Sequence, residues 1–333
     1  MIHVKKAGLL TTVQDLGRYG FQKHGVITSG VMDPEAHRIA NLLVGNSMQM
    51  PTLEVTLMGP VLEFHQDALI SICGGHLSPM INGEPVGNWR PIFIKKGSEL
   101  RFGSMQEGCR AYLAIAGGYD VPLVMNSSST YLRAGIGGYQ GRSLEKGDQL
   151  NIQAPSAESL ELLSELKEYA GANSFQAMDW YAASELVPSH SPDEKIRVVM
   201  GREYDSFTED SKQAFIHSSF KVDTQSDRMG YRLKGASLEL KHQEEMISEA
   251  VAFGTIQVPA EGNPIILLAD RQTTGGYPRI AQVASVDLSK VAQLKPGEEA
   301  AFELITHEEA QKLFIEREHM IQQLAQGIKL KYR

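Results

Sequence analysis

The stretch "GTIQVPAEGNPIILLADRQTTGGYPRIAQV", residues 254–283, decides how the rest of the chain is read. Two short runs rich in β-formers, 256–258 and 265–268, flank a turn carrying Pro, Gly and Asn, which is the pattern of strands rather than of a helix. The apolar segment 264–269 ends on an acid, Asp270, and a cation, Arg271. Gln272, Thr273, Thr274, Gly275 and Gly276 follow before Tyr277, Pro278 and a return to apolar residues. Two readings of 269–280 stand: a polar hairpin tip, or a loop that holds a ligand. The tip accounts for the glycines but not for the whole set, nor for Tyr277 and Pro278 directly after it. In the second reading Arg271 holds an anion while Asp270 orients it or acts as a base. Gln272, Thr273 and Thr274 then supply hydrogen bonds, and Gly275 and Gly276 let backbone N–H groups face the ligand.

The same strand character extends outward. Further strands are predicted over 52–58, 69–73, 91–95, 111–116 and 196–200, punctuated by Gly, Pro, Asn and Asp. Helices are few. Asp33 caps one with Pro34 at its first position, Ile39, Leu42 and Leu43 on its apolar face and Gly45 at its end. Ser156 opens a second, with Leu160, Leu163 and Leu166 on one side. Thr306 opens a third over 306–327, with Glu309 at the capping-box position and Leu313, Ile321 and Leu324 among its apolar residues. The segment 171–195 mixes Gly, Ser, Pro and charge and holds the expected boundary between domains 1–185 and 186–305, followed by a terminal helical segment, 306–333.

The two halves echo one another. "GPVLEF" (59–64) resembles "GASLEL" (235–240), "NGEP" (82–85) resembles "EGNP" (261–264), and "KGSELRF" (96–102) resembles "KPGEEAAF" (295–302). From Gly83 to Gly97 is 14 residues and from Gly262 to Gly297 is 35, so the second copy carries about 21 more, and 269–280 lies within them. The expectation is a pair of related β-barrel-like units, one of which has grown a loop.

Composition excludes several functions. A formal charge of −8 over 333 residues, without a Lys/Arg-rich block, argues against nucleic-acid binding. No apolar span is long enough to cross a bilayer and the N-terminus lacks a signal-peptide core, so a cytoplasmic protein is expected. The two cysteines, Cys73 and Cys109, read as buried reduced thiols. The sequence has no GxxxxGK[ST], no HExxH or close His/Cys cluster, no GxSxG and no Met-Lys-Met biotin-attachment sequence, so no metal site and no covalently bound biotin are expected.

Four other segments concentrate chemistry. "AGIGGYQGRS" (134–143) has glycines spaced GxGxxxG before a turn and a strand, not before a helix, which argues against a dinucleotide site. It reads as structural turns or as a glycine-rich turn beside a ligand, with Arg142 adding charge. "TTVQDLGRYG" (11–20) and "SGVMDPEAHRIANLLVGN" (29–46) bring Gln14, Asp15, Arg18, Ser29, Asp33, His37 and Asn41; an Asp–Arg pair tying down the loop is the plainer account. "QSDRMGYRL" (225–233) carries Ser226, Asp227, Arg228, Tyr231 and Arg232. Its arginines suit a carboxylate or phosphate, or an internal ion pair.

At these motifs, together with "LEVTLMGP" (53–60) and "LKPGE" (294–298), the sequence resembles the allophanate hydrolase subunit 2-like family, also called biotin-dependent carboxyltransferase-like, over about residues 1–305. The family includes the C subunit of bacterial 5-oxoprolinase (KipA, antagonist of a sporulation-kinase inhibitor) and the carboxyltransferase region of urea carboxylase. The resemblance implies a mainly-β fold of two cyclophilin-like β-barrel domains with a few peripheral helices. It also implies two protein partners, a KipI-like B subunit and an A subunit, and a complex that uses ATP to open 5-oxoproline to glutamate. The ATP site is not assignable to this chain. Carboxyl transfer in a urea carboxylase-like system and plain regulatory binding of the kinase inhibitor are the alternatives.

On this reading Arg271 and Arg228 hold the anionic group of a small amide substrate, and Asp270 or Asp227 orients them or moves a proton. Gln272, Thr273, Thr274, Gly275, Gly276, Tyr277, Ser226 and Tyr231 bind substrate, and Gln14, Asp15 and Arg18 close the site.

Overall fold

The computed structural model describes residues 1–188, 194–242 and 246–332. Alternation along the strands builds its first unit, which comprises residues 1–17, 33–188 and 319 onward. Along Ile2–Lys6 and Val61–Phe64, the side chains of Ile2, Val4, Leu62 and Phe64 are wholly buried, while His3 and Glu63 between them are not. These strands belong to a six-stranded antiparallel sheet in the order Gln149–Leu150, Ile2–Lys6, Val61–Phe64, Glu99–Phe102, Pro79–Ile81, Glu84–Pro85. A second sheet runs Phe175–Ala177, Pro91–Ile94, Ala68–His76, Glu107–Ile115, Thr52–Thr56, Leu10–Gln14. Apolar residues from both, such as Ile2, Leu53, Val55, Phe64, Ile72 and Leu113, form one core.

The other face of the second sheet mixes Leu69, Cys73 and Ala114 with Ser71, Tyr112 and Glu54, and helix α1 (Pro34–Leu43) packs against it. Asp33 caps α1 through Ala36 N at 3.0 Å, with Pro34 at its first position, as the sequence predicts. Beneath it Tyr112 Oη donates to Glu54 Oε2 at 2.9 Å and accepts from Asp33 N at 2.8 Å. His37 is fully buried, with Nε2 3.1 Å from Met48 O and Nδ1 2.9 Å from Thr52 Oγ1. A carbonyl only accepts, so Nε2 carries the proton and Nδ1 accepts from the Thr52 hydroxyl. Burial pushes the His37 imidazole down to about 4, against the opposing pull of Asp15, the Met48 carbonyl and Glu54.

The second unit comprises residues 18–32 and the described part of 189–318. Its eight-stranded sheet runs Glu299–Ala300, Phe220–Val222, Gly230–Lys234, Ile265–Leu267, Thr255–Gln257, Arg279–Val283, Ile196–Met200, Phe302–Leu304. The two edge strands are separated in the chain by Ala301 alone, so the sheet returns on itself as a nearly closed barrel. Inside it, the rings of Phe215 and Phe302 stack at 4.7 Å, with Phe220 tilted against both. The mainly-β, barrel-type fold expected from the sequence is thus what forms. Remaining helices are α2 (Ala157–Ala170), α3 (Glu209–His217), α4 (Leu288–Gln293) and α5 (His307–Lys331). No helix among the described residues is long and apolar enough to cross a membrane.

Several local expectations shift. In α2 the buried positions are Ser159, Leu162, Leu166 and Ala170, while Leu160 is 49% exposed, because the packed stripe lies one step away from the predicted one. In α5 Thr306 Oγ1 does accept from Glu309 N at 3.1 Å, but only Ile321 and Ile328 are buried. The predicted linker 171–195 contains 189–193, which lie outside the described residues.

The internal echo is real in one place and false in another. Ser98 N bonds Lys95 O and Gly97 N bonds Phe64 O; correspondingly Glu298 N bonds Lys295 O and Gly297 N bonds Val222 O. Gly97 and Gly297 both need positive φ, +85° and +94°, and Phe102 and Phe302 both enter cores. The strand matching Val61–Phe64 is therefore Phe220–Val222, and 235–240 is no counterpart of it. The additional length of the second copy also includes α4 rather than the polar loop alone.

Candidate functional site

Strand register creates the central pair. Gly230–Lys234 runs antiparallel to Ile265–Leu267 with Gly230 opposite Leu267, and the pairing continues past both strand ends through Leu268 N to Met229 O and Asp270 N to Arg228 O. Arg228 and Asp270 are therefore neighbours although 42 residues apart. Arg228 Nε donates to Asp270 Oδ2 at 3.0 Å and Nη2 to Oδ1 at 3.2 Å, with both residues buried. Nη2 also donates to Gly30 O at 2.5 Å, which fastens residues 18–32 to this unit.

Arg271 next door is different in kind. Its Nε donates to Val251 O at 3.3 Å and its Nη1 to Leu268 O at 3.2 Å, and the guanidinium carbon stands 5.9 Å from the Phe253 ring centroid. Among the described residues it forms no ion pair. Burial lowers the Arg271 guanidinium from the usual arginine range, with the Tyr19 phenol acting the other way. A cleft of about 250 Å³ opens beside it, lined by Gln22, Thr28, Ala250, Val251, Arg271, Gln272 and Thr273. A half-buried cation without a carboxylate, ringed by amides and hydroxyls, is suited to take a small anion.

The far wall of the cleft is a short ribbon. Glu249–Ala250 pairs with Thr274–Gly275, and Val251 N donates to Thr273 O at 3.2 Å. Glu249 accepts from Arg202 Nη1 at 2.6 Å and from Arg279 Nη2 at 2.7 Å. Arg279 also forks onto Glu203 at 2.9 and 2.8 Å. Hydrogen bonds to Glu203 raise the Arg279 guanidinium, and those from Arg279 hold the Glu203 carboxyl below its usual range. A Cβ at Gly275 would lie 2.4 Å from the Gln257 amide nitrogen, and one at Gly276 would lie 3.1 Å from Ser248 Oγ. Tyr277 is 51% exposed, and its carbonyl accepts from Gln257 Nε2 at 3.3 Å.

The other candidates have local partners. Asp227 Oδ1 accepts from Met229 N at 2.8 Å, which closes a turn, and Ser226 Oγ accepts from Arg232 N at 3.1 Å. Tyr231 is buried and donates to Leu294 O at 3.1 Å. Gln14 bonds Thr12 and Thr130 O in the first unit. The Asp15 carboxylate, in the same unit, accepts from Gly17 N, Ser127 Oγ, Ser128 N and Ser129 Oγ. Arg18 is completely buried in the second unit, and its backbone N donates to Thr28 O at 2.7 Å. Arg142 forks onto Asp148 at 2.8 Å and sits 5.4 Å from the Tyr139 ring centroid, so the glycine-rich segment is a set of structural turns. Sequence reasoning missed Gln22, Thr28, Ala250 and Val251, since no motif marks them.

These observations define a mainly-β barrel protein whose second unit holds a small polar cleft beside Arg271. The model of the carboxyltransferase domain, subdomain A and B, matches residues 24–304, and the chain belongs to that family. It is 38% identical over 325 residues to the C subunit of 5-oxoprolinase from Escherichia coli K12, covering 98% of both chains. The corresponding protein of Haemophilus influenzae is 37% identical, with 97% of both covered. The crystal structure of Kluyveromyces lactis urea carboxylase superposes with a TM-score of 0.86 at 33% identity, covering 97% of this chain and 29% of that one.

Proposed function

We propose that this chain is the C subunit of a cytoplasmic, ATP-dependent 5-oxoprolinase that opens 5-oxoproline to L-glutamate together with A and B subunits. The observation that carries the reading is Arg271, a guanidinium with no carboxylate partner among the described residues, on a cleft sized for a small molecule. 5-Oxoproline presents a carboxylate for such a group, and its lactam carbonyl and N–H suit Gln22, Thr28, Gln272 and Thr273. Identity over nearly the whole length of two named 5-oxoprolinase C subunits supports the same substrate.

In this assignment Arg271 binds and orients the carboxylate. The Arg228–Asp270 pair holds the backbone on which Arg271 is mounted. The ribbon of Thr274 and Gly275 keeps one wall of the cleft in place. A lactam is a poor electrophile, so ATP supplies the driving force. The glycine-rich segment 134–143 is a series of turns with no helix N-terminus to receive phosphates, and the ATP site is not assigned to this chain.

The test is ATP-dependent glutamate release from 5-oxoproline by the chain reconstituted with its two partners. Full activity of an Arg271→Ala variant that folds and assembles would remove the assignment. The likeness to urea carboxylase favours a second reading, carboxyl transfer from carboxybiotin on another protein. It predicts a biotinylated partner and no glutamate release.

A further inference from the structure

On the outer face of the first unit, remote in sequence from the loop around Arg271, three potential metal ligands converge. His3 lies on Ile2–Lys6 directly opposite Glu63 on Val61–Phe64, and His65 follows Glu63 by two residues. The ladder carries on through His65 N to Met1 O at 3.0 Å, so His65 keeps the strand's alternation. Burial of Ile2, Val4, Leu62 and Phe64 forces the three side chains to the other side. His3 Nδ1 is 3.8 Å and His65 Nε2 3.7 Å from the same oxygen, Glu63 Oε2, and all three ligand atoms lie within 4.8 Å of one another.

We propose that His3, Glu63 and His65 form a surface site for one divalent transition-metal ion of the Zn²⁺ class. Two imidazoles and a carboxylate select Zn²⁺, Co²⁺, Ni²⁺ or Cu²⁺ over Mg²⁺ and Ca²⁺, which prefer all-oxygen sites. Ligand atoms about 2 Å from a tetrahedral Zn²⁺ stand roughly 3.3 Å apart, so closing the site needs shifts of about half an ångström between Glu63 and each imidazole and at most about 1.5 Å between the imidazoles, within the reach of side-chain torsions on a rigid ladder. The side chains of His3 and Glu63 are about a third exposed and that of His65 is 42% exposed, which leaves water to complete the coordination. The surrounding charges favour a cation at Glu63 itself. Glu99, opposite Glu63 on the next strand, is engaged by Lys5 at 3.3 Å and Arg101 at 3.0 Å. Glu63 has only the two imidazoles as ion-pair partners among the described residues. Gln149, opposite His3 on the other side, is uncharged. The ion ties the N-terminal strand to its neighbour, so binding raises thermal stability by linkage.

The experiment is Zn²⁺ titration of the full chain by calorimetry, with Co²⁺ as a spectroscopic probe, near pH 7.5. One equivalent is expected to bind in the micromolar range, with Co²⁺ developing visible ligand-field absorption and Zn²⁺ raising the Tm. His3→Ala and His65→Ala each weaken binding on the order of tenfold or more, and Glu63→Gln does the same without removing an imidazole. A His217→Ala control leaves binding unchanged. Binding that survives in the His3→Ala/His65→Ala double variant, or no saturable binding by wild-type chain, overturns the proposal. Circular dichroism shows whether each variant is folded, and Glu63→Gln keeps the test decisive if either alanine variant is not.

Discussion

Asp270 and Arg228 form a buried, two-bonded ion pair whose backbones are also joined, Asp270 N to Arg228 O at 2.8 Å. The pair holds the start of the polar loop against the turn before Gly230. It also ties in residues 18–32 through Gly30, and those residues supply Gln22 and Thr28 to the cleft.

Removing one partner strands a buried charge. Arg228→Met and Asp270→Asn are each expected to destabilise the protein by about 3–5 kcal/mol. The double substitution should cost less than the two singles added together, because neither charge is then left uncompensated. Urea unfolding of the three variants measures this; strict additivity would show that the pair does not act as a unit.

Arg271 behaves oppositely. Its guanidinium is half-buried with only carbonyls and an aromatic face for company, so Arg271→Met is expected to change stability by no more than about 1 kcal/mol while abolishing anion binding. Arg271→Lys loses the planar fork and should recover little of it. Competitive titration with small carboxylates, alongside the activity of the reconstituted complex, separates stability from binding.

Glu249→Gln should loosen the ribbon. Its carboxylate is the joint acceptor of Arg202 and Arg279, and the amide cannot reproduce either charge-assisted contact. Faster hydrogen exchange is expected at Val251 and at the Thr274–Gly275 strand, with the barrel strands unchanged. High salt should mimic the substitution in the wild-type chain, since Glu249 and Arg202 are exposed enough to be screened.

His37 predicts a pH dependence with a defined sign. Its pKa is about 4 in the fold and about 6.5 unfolded, so between these values the unfolded chain binds the extra proton. Stability from this residue is complete above the unfolded value and is lost as pH falls toward 4, by roughly 3 kcal/mol in all. Denaturant midpoints measured from pH 7 to pH 4.5 should fall, and a folded His37→Gln variant should fall less over the same interval.

What was legible in the sequence was local. The Asp33–Pro34 helix start and the strand runs predicted over 91–95 and 196–200 are set by φ preferences, capping and β-forming composition among near neighbours. The polar loop after Leu267 was visible for the same reason, as a concentration of residue types within one segment. What only the tertiary structure decided was partnership. Asp15 meets Ser127–Ser129, Arg228 meets Asp270, and His3 meets Glu63 and His65. Each of these depends on the register between strands or loops far apart in the chain. A one-residue slip would turn every such side chain to the opposite face, and registers of that range are fixed by the burial of whole sheets.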